Sequence, residues 1–528
     1  MSTSSISFKP IPEPTRKIRV NPGQSIHNAI TNLKEGEAIE LETGGTYLER
    51  ISIHQHNSNK PFQIISSNLG LLPKVGERFD PIKHVAAKVH TPSNSIPALD
   101  TQPGAHNWII SGIEFGASGG KTIDELIKLG RGNSEQSTLE SVPHNLLLDR
   151  CYVRGQKSSL TSKRGIALNS SKTTIQNCYI SDFHGNGFDT QAICGWNGPG
   201  DYDILNNYIE GAGENVMIGG AQTFISGLVP TNINFFWNDF VKPLSWRVGD
   251  PSYDGVRRSV KNSFELKTGR KVRIEGNRFK NCWVDGQTGV AIVLKSSNQG
   301  SGQTWSITEE VEFINNIVEG AAGGVHIIGR DDPDIEKTNR IKVANTLFLD
   351  INGPKWGSAG MGRLFQAIGG PKDIVIDHCT GFQSNHILVL DGEPSTGLQY
   401  TNNITPHNEY GIFGSGEGTG KSALDYFYPG NDVRRNILVG GSPRVYPSDN
   451  QFPNAMNGIE FINFANGDFR LAPTSPYRNF GTDGKDLGVD FAQLAQAFEL
   501  PVSTPPINSD LQRLIELHRE MGEIITRL

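Results

Sequence analysis

Glu265 and Lys267, in the stretch NSFELKTGRKVRIEGNRF (262–279), are the residues whose types and spacing best suit chemistry. Phe264 and Leu266 alternate with them, so on a strand the two polar side chains stand together on the face opposite the apolar pair. A carboxylate beside an amine can accept and deliver protons when both are held in a cleft. On an open surface the same pair is an exposed ion pair of little worth. Around it recur Glu214, Asn215, Asp285, Gln287, Lys295, His326 and Arg330, with Lys163, Arg164 and Asn169 toward the N-terminal side. Glu214, Asn215 and Glu265 are hard oxygen donors of the kind Ca²⁺ prefers.

The elements that carry these residues align as GIALNSS (165–171), QAICGW (191–196), ENVMIGG (214–220), SFELKT (263–268), GVAIVLK (289–295) and GVHIIGR (324–330). Leu168, Ile193, Ile218, Leu266, Ile292 and Ile327 form the expected inner column. Asn169, Asn215, Glu265, Lys267 and His326 then face outward, with Glu214, Asp285, Gln287, Lys295 and Arg330 near the strand ends. Other outward positions are small, namely Ala167, Ala192, Gly219 and Ala291, which predicts a shallow groove. Trp196 and Trp246, in loops beside this face, suit stacking on a sugar.

These strands belong to a repeat. WIISGIEF, LLLDRCYV, TTIQNCYI, DILNNYI, INFFWNDF, VRIEGNRF, VEFINNIV, IKVANTLF, IVIDHCTG and LQYTNNIT share a strand, a turn and a new apolar residue. The turn position falls at Ile113, Cys151, Cys178, Asn207, Asn238, Asn277, Asn316, Thr346, Cys379 and Asn403, which marks ten coils. Asn side chains stacked at a spacing of roughly 4.8 Å can bond along the column and satisfy their own amides inside a solenoid. Blade or leucine-rich signatures are missing, and the pattern predicts a single-stranded right-handed parallel β-helix, an all-β solenoid.

The expected organisation is an N-terminal extension (1–19), a β-helix (20–490) with an N-terminal cap (20–53), a linker (491–508) and a C-terminal amphipathic helix (509–528). That last segment carries Leu511, Leu514, Met521, Ile525 and Leu528 at near-heptad spacing, for packing on the barrel or for self-association into a homo-oligomer.

Composition narrows the function classes. The 528 residues carry 49 basic and 55 acidic side chains, a net charge of −6, without a basic run that would suggest nucleic acid. No stretch approaches the roughly 18 apolar residues of a membrane span. The first residues lack an apolar signal-type core, so the compartment stays open between cytoplasm and export after removal of a leader. Five cysteines without paired spacing read as small buried apolar side chains.

RGIALNSS, QAICGWNGPG, EGAGENVMIGGA, KPLSWR and NSFELKTGRKVRIEGN resemble the bacterial right-handed parallel β-helix repeat family over 20–490. The central coils also bear a more distant resemblance to polysaccharide lyase family six, the alginate and dermatan lyases. GAGENVMIGG (211–220) is similar to that family's Gly-Gly-Glu strand, and Lys267 falls where its lysine base would be. The resemblance implies an arginine acid one coil later, where this chain has Lys295, and a calcium ion held by Asn and Glu.

Three readings follow. A lyase would cleave a uronic-acid polysaccharide by β-elimination, with Lys267, Glu265, Lys295 and His326 in the catalytic set and Arg164, Asn169, Trp196, Gln287 and Arg330 on the substrate. In it Lys267 needs an amine free of its proton, for which Arg270, Lys271 and Lys295 supply neighbouring charge. A glycoside hydrolase would use Glu214, Glu265 and Asp285 as its acid and base. A carbohydrate-binding or adhesive scaffold would use the same groove without catalysis.

Overall fold

The computed structural model describes residues 6–297 and 302–501. Each turn of chain contributes one short strand to each of three parallel sheets. Gly269–Glu275 lies in sheet A, Arg278–Cys282 in sheet B and Val290–Ser296 in sheet C, after which Thr308–Ile314 returns to sheet A beside the first strand. The three sheets hold fourteen, thirteen and thirteen strands among the described residues. Parallel neighbours one full turn apart make a right-handed parallel β-helix, the hand that parallel crossovers take.

Bends rather than hairpins close each turn, and residue type marks them. Between sheets A and B a residue of positive φ precedes the ladder position, as at Asn177, Asn206, Gly276 and Asn315. Asn and Gly adopt that conformation at least cost. The next residue points inward and bonds along the axis. Asn207 Nδ2 donates to Asn238 Oδ1 at 3.0 Å, Asn238 to Asn277 at 3.0 Å and Asn277 to Asn316 at 3.1 Å. Each Oδ1 also accepts the backbone N–H one coil back, so the buried amides are satisfied. Cys151, Cys178 and Cys379 occupy the same column, and all five cysteines are buried and unpaired. Aromatic rings stack inside, Phe240 on Phe279 at 4.4 Å between centroids.

The sheets extend beyond the ten coils of the repeat. Sheet B gains Thr46–Leu48 and Ala87–Thr91 before it and Ile437–Val439 after it, and the ladder continues from Asn403 through Asn436 to Asn450. The expected boundary between 19 and 20 falls inside a strand, since Lys17–Val20 forms the edge strand of sheet A. Residues before it run over the outside of that sheet, where Lys9 exchanges two hydrogen bonds with Gln176 and Phe8 meets Trp237 edge-on. Residues 491–508, expected as a linker, open instead with the helix Phe491–Ala497, whose Leu494 packs with Leu347 and Leu349. Asp490 caps that helix by accepting from the Ala492 and Gln493 amides. The amphipathic segment 509–528 lies outside the described residues.

Candidate active site

The candidate site lies on the outer face of sheet C, where strand register fixes which side chains become neighbours. Phe264 and Leu266 are fully buried and pin the short strand Phe264–Leu266, so Glu265 points out. Its column runs through Ala167, Cys194, Met217, Glu265, Val293, His326 and Gln366. A second outward column contains Arg164, Gln191 and Glu214. Lys267 and Lys295 directly follow the paired Leu266 and Leu294, so they stand side by side on adjacent coils.

These columns meet in one polar network around two buried carboxyl groups. Glu214 is fully buried and Glu265 only 4% exposed. Gln191 Nε2 donates to Glu214 Oε2 at 2.8 Å, and Arg164 Nε donates to Gln191 Oε1 at 3.2 Å. Lys261 Nζ lies 3.4 Å from Glu214 Oε1 and 2.7 Å from Asp189 Oδ1. Asn262 Nδ2 donates to Glu265 Oε2 at 3.3 Å and to Gln287 Oε1 at 3.1 Å. Lys267 Nζ sits 3.6 Å from Glu265 Oε1, with its side chain 12% exposed. The Glu265–Lys267 pair is therefore no solvated surface ion pair.

Burial sets the electrostatics. It pushes the Glu214 carboxyl up to about 7, against the pull of Lys261 and with a further push from Glu265. Burial opposes charge on Lys261 too, but Glu214 and Asp189 outweigh it and its value is raised. Burial lowers His326 to about 4, assisted by Arg363 and Lys295, and its Nε2 has no hydrogen-bond partner. Beneath the site Lys242 is fully buried, its Nζ donating to the Gly211, Ala212 and Gly213 carbonyls at 2.6, 3.0 and 3.2 Å. That clamp holds the turn leading into Glu214.

Several sequence expectations need correction. Asn215 faces inward: its Nδ2 donates to the Ile209 and Val241 carbonyls at 2.7 and 2.9 Å. The chain bends as it enters sheet C, so two consecutive side chains turn to the core, and Ala192 and Ala291 are likewise core residues, which removes two of the four small outward positions from which a shallow groove was expected. Ile193 and Ile292 face inward but pair with Val216 and Phe264, two residues before the column of Ile218, Leu266, Leu294 and Ile327. Asn169 is buried, its Oδ1 accepting from the Trp196 and Asn197 amides at 2.9 and 2.8 Å. Trp196 is covered by the Arg164 guanidinium, 4.9 Å from its ring centroid, and Trp246 is covered in the same way by Arg258. Both rings are buried, so the groove offers the guanidinium of Arg164 where an indole face was expected.

Gln287 is exposed on the rim. Asp285 pairs with Arg257 and accepts from the Val260 amide, and so is drawn away from the two glutamates. Arg330 turns back onto its own loop, donating to the Pro333 and Ile335 carbonyls at 2.7 and 3.0 Å. Lys295 lies 3.5 Å from Asp331, and His326 stands two coils from Glu265 in the same column. Lys261, Asn262, Gln191 and Asp189 are site residues that sequence reasoning missed. A signal existed for one of them, since Gln191 opens QAICGW as Glu214 opens ENVMIGG.

No family model matches this chain, and no curated protein matches it. Solved structures do. The PL6 family alginate lyase AlyGC is similar at 14% identity and a TM-score of 0.44, over 93% of this chain and 59% of that one. A mannuronic acid specific polysaccharide family 6 lyase from human gut microbiota is similar at 13% identity and a TM-score of 0.43, over 87% and 96% of the two chains. PfbA, a surface adhesin of Streptococcus pneumoniae, is similar at 14% identity and a TM-score of 0.36, over 74% and 86%.

Proposed function

We propose that the groove on sheet C binds a uronic-acid-containing polysaccharide and cleaves it by β-elimination, with Lys267 as the base. The observation that carries this reading is the near-burial of the Glu265–Lys267 pair on a strand whose register is locked by Phe264 and Leu266. A base must be held by a rigid element, and this strand meets that placement; because the Glu265 carboxylate favours the ammonium, Lys267 acts as base only after losing that proton.

Elimination across a uronic acid requires the sugar carboxylate to be neutralised, the C5 proton removed and the leaving oxygen protonated. In this proposal Arg164 and Lys261 supply positive charge toward the carboxylate. Lys267 takes the C5 proton, the C5–H electron pair becomes the new C4–C5 double bond, and the C4–O bond breaks. Lys295, its neighbour on the next coil, gives the departing oxygen its proton. No water is consumed, and the new chain end is an unsaturated uronate. His326 does not fill the acid role near neutral pH, because burial holds it neutral. Gln287, exposed on the rim, supplies an amide suited to sugar hydroxyls, while the buried amides of Gln191 and Asn262 hold Glu214 and Glu265 in place.

One observation favours hydrolysis as the second reading. A buried carboxyl held at about 7, as Glu214 is, has the character of a glycosidase general acid, with Glu265 as base or nucleophile. Incubation with a panel of uronic-acid and neutral polysaccharides separates the readings. New ultraviolet absorbance together with new reducing ends means elimination, and reducing ends alone mean hydrolysis. Neither signal on any substrate leaves a binding scaffold.

A further inference from the structure

Calcium, which the family resemblance implies for this sheet, does not fit the donor set. Asn215 spends its amide on two carbonyls inside the barrel. Glu214 Oε1 is buried without a hydrogen-bond partner, and the cation beside it is the Lys261 ammonium, 3.4 Å away. Among the described residues no three His, Cys, Asp or Glu side chains converge as a metal site would. We infer that the Lys261 ammonium occupies the cation position of this groove, so that the chain itself supplies the positive charge a divalent ion would bring and receives the carboxylate of an acidic sugar there. The carboxylate part of this inference rests on the proposed function, while the occupancy of the cation position does not.

The geometry supports the assignment at both ends of the residue. The Lys261 backbone N–H is shared between the Ala212 and Gly213 carbonyls at 3.2 and 3.1 Å, which fastens it to the turn that Lys242 clamps and that leads into Glu214. At the other end an ammonium has three donors, of which Asp189 takes one. Glu214 Oε1, 3.4 Å away, accepts no hydrogen bond from it, so donor capacity remains for a ligand. The Asp189 side chain is 49% exposed against 12% for Lys261. Asp189 thus stands in for an incoming carboxylate on the open side of the ammonium and can swing into solvent when one arrives.

The test is calcium binding, read by calorimetry and by melting temperature, which needs no substrate. Wild type should show no calcium site that Glu214→Gln removes. Lys261→Met, folded by circular dichroism, should gain a calcium-dependent rise in melting temperature and a one-site isotherm, because the place its Nζ leaves lies between Glu214 Oε1 and Asp189 Oδ1, which lose their shared cation. Adding Glu214→Gln should abolish that gain. If Lys261→Met does not fold, Lys261→Gln serves in its place. Calcium binding by wild type that is lost in Glu214→Gln, or a Lys261 variant that stays indifferent to calcium, overturns the inference. A second arm measures an inert uronate oligosaccharide on Lys267→Ala. Affinity should survive a chelator and fall by about tenfold or more when Lys261→Met is added. Absence of any uronate binding would sink the proposed substrate class, and the calcium arm would still decide who holds the cation position.

Discussion

Ionising Glu214 should weaken the fold, and Glu214→Gln should remove that weakness. A carboxyl with an ordinary value near 4.5 that burial holds at about 7 carries a penalty on the order of 3 kcal/mol once it is charged in the native state. The sign follows from proton counting. Between those two pH values the folded chain binds more protons at Glu214 than the unfolded chain does. The stabilisation is therefore complete below about pH 4.5 and is lost as pH rises through about 7. Glu210 on sheet B is raised to about 7 by burial and by Asp182, so wild type loses stability from two groups over one window. Glutamine at 214 keeps an oxygen for Gln191 Nε2 and has nothing to ionise. Denaturant midpoints at pH 5 and pH 8 should fall steeply for wild type, by roughly half as much for Glu214→Gln, and by roughly half for Glu210→Gln. A Glu214→Gln protein with the full wild-type decline would refute the claim that this carboxyl is protonated in the folded state near neutral pH.

Two further outcomes follow from the same geometry. Asn277→Ala should cost roughly 1–3 kcal/mol for each buried group it strands, since its Oδ1 accepts from Asn238 and its Nδ2 donates to Phe235, Glu275 and Asn316; denaturation beside an Ala variant of exposed Asn57 reads the difference, and equal midpoints would count against the ladder. His326, lowered to about 4, should show neutral imidazole resonances above pH 5 and lose native stability only as pH falls from about 6.5 toward 4, so an imidazole titrating near 6.5 would contradict its burial.

The solenoid was legible because its rules are local and repeated. Inward apolar residues alternate along each strand, and the ladder position follows a residue that tolerates positive φ, so Asn207, Asn238, Asn277 and Asn316 stand out as letters alone. Of the end coils, Thr46–Leu48 lacks the ladder lettering, whereas the coil of Ile437–Val439 carries it at Asn436, after Arg435 of positive φ, and was overlooked where the recurring strand pattern fades. Glu265 and Lys267 could be placed outward because strict alternation holds through their strand. Alternation failed at Asn215, where the bend between sheets B and C turns two successive side chains inward and reverses the expected face. Trp196 and Trp246 were misjudged because composition does not show which cation covers an indole. Lys261 was invisible because it ends the irregular stretch between Asp239–Val241 and Phe264–Leu266, which has no counterpart in other coils to align against.

The measurement that tests the central claim most directly is single-turnover formation of the unsaturated product by wild type, Lys267→Ala and Lys267→Arg, on whichever uronic-acid polysaccharide the panel identifies. If Lys267 removes the C5 proton, Lys267→Ala should be slower by roughly 10²-fold or more with the fold intact. Lys267→Arg should fail almost as badly, because a guanidinium stays protonated. Near-normal product formation by both variants would contradict the account, returning Lys267 to the role of a partner for Glu265.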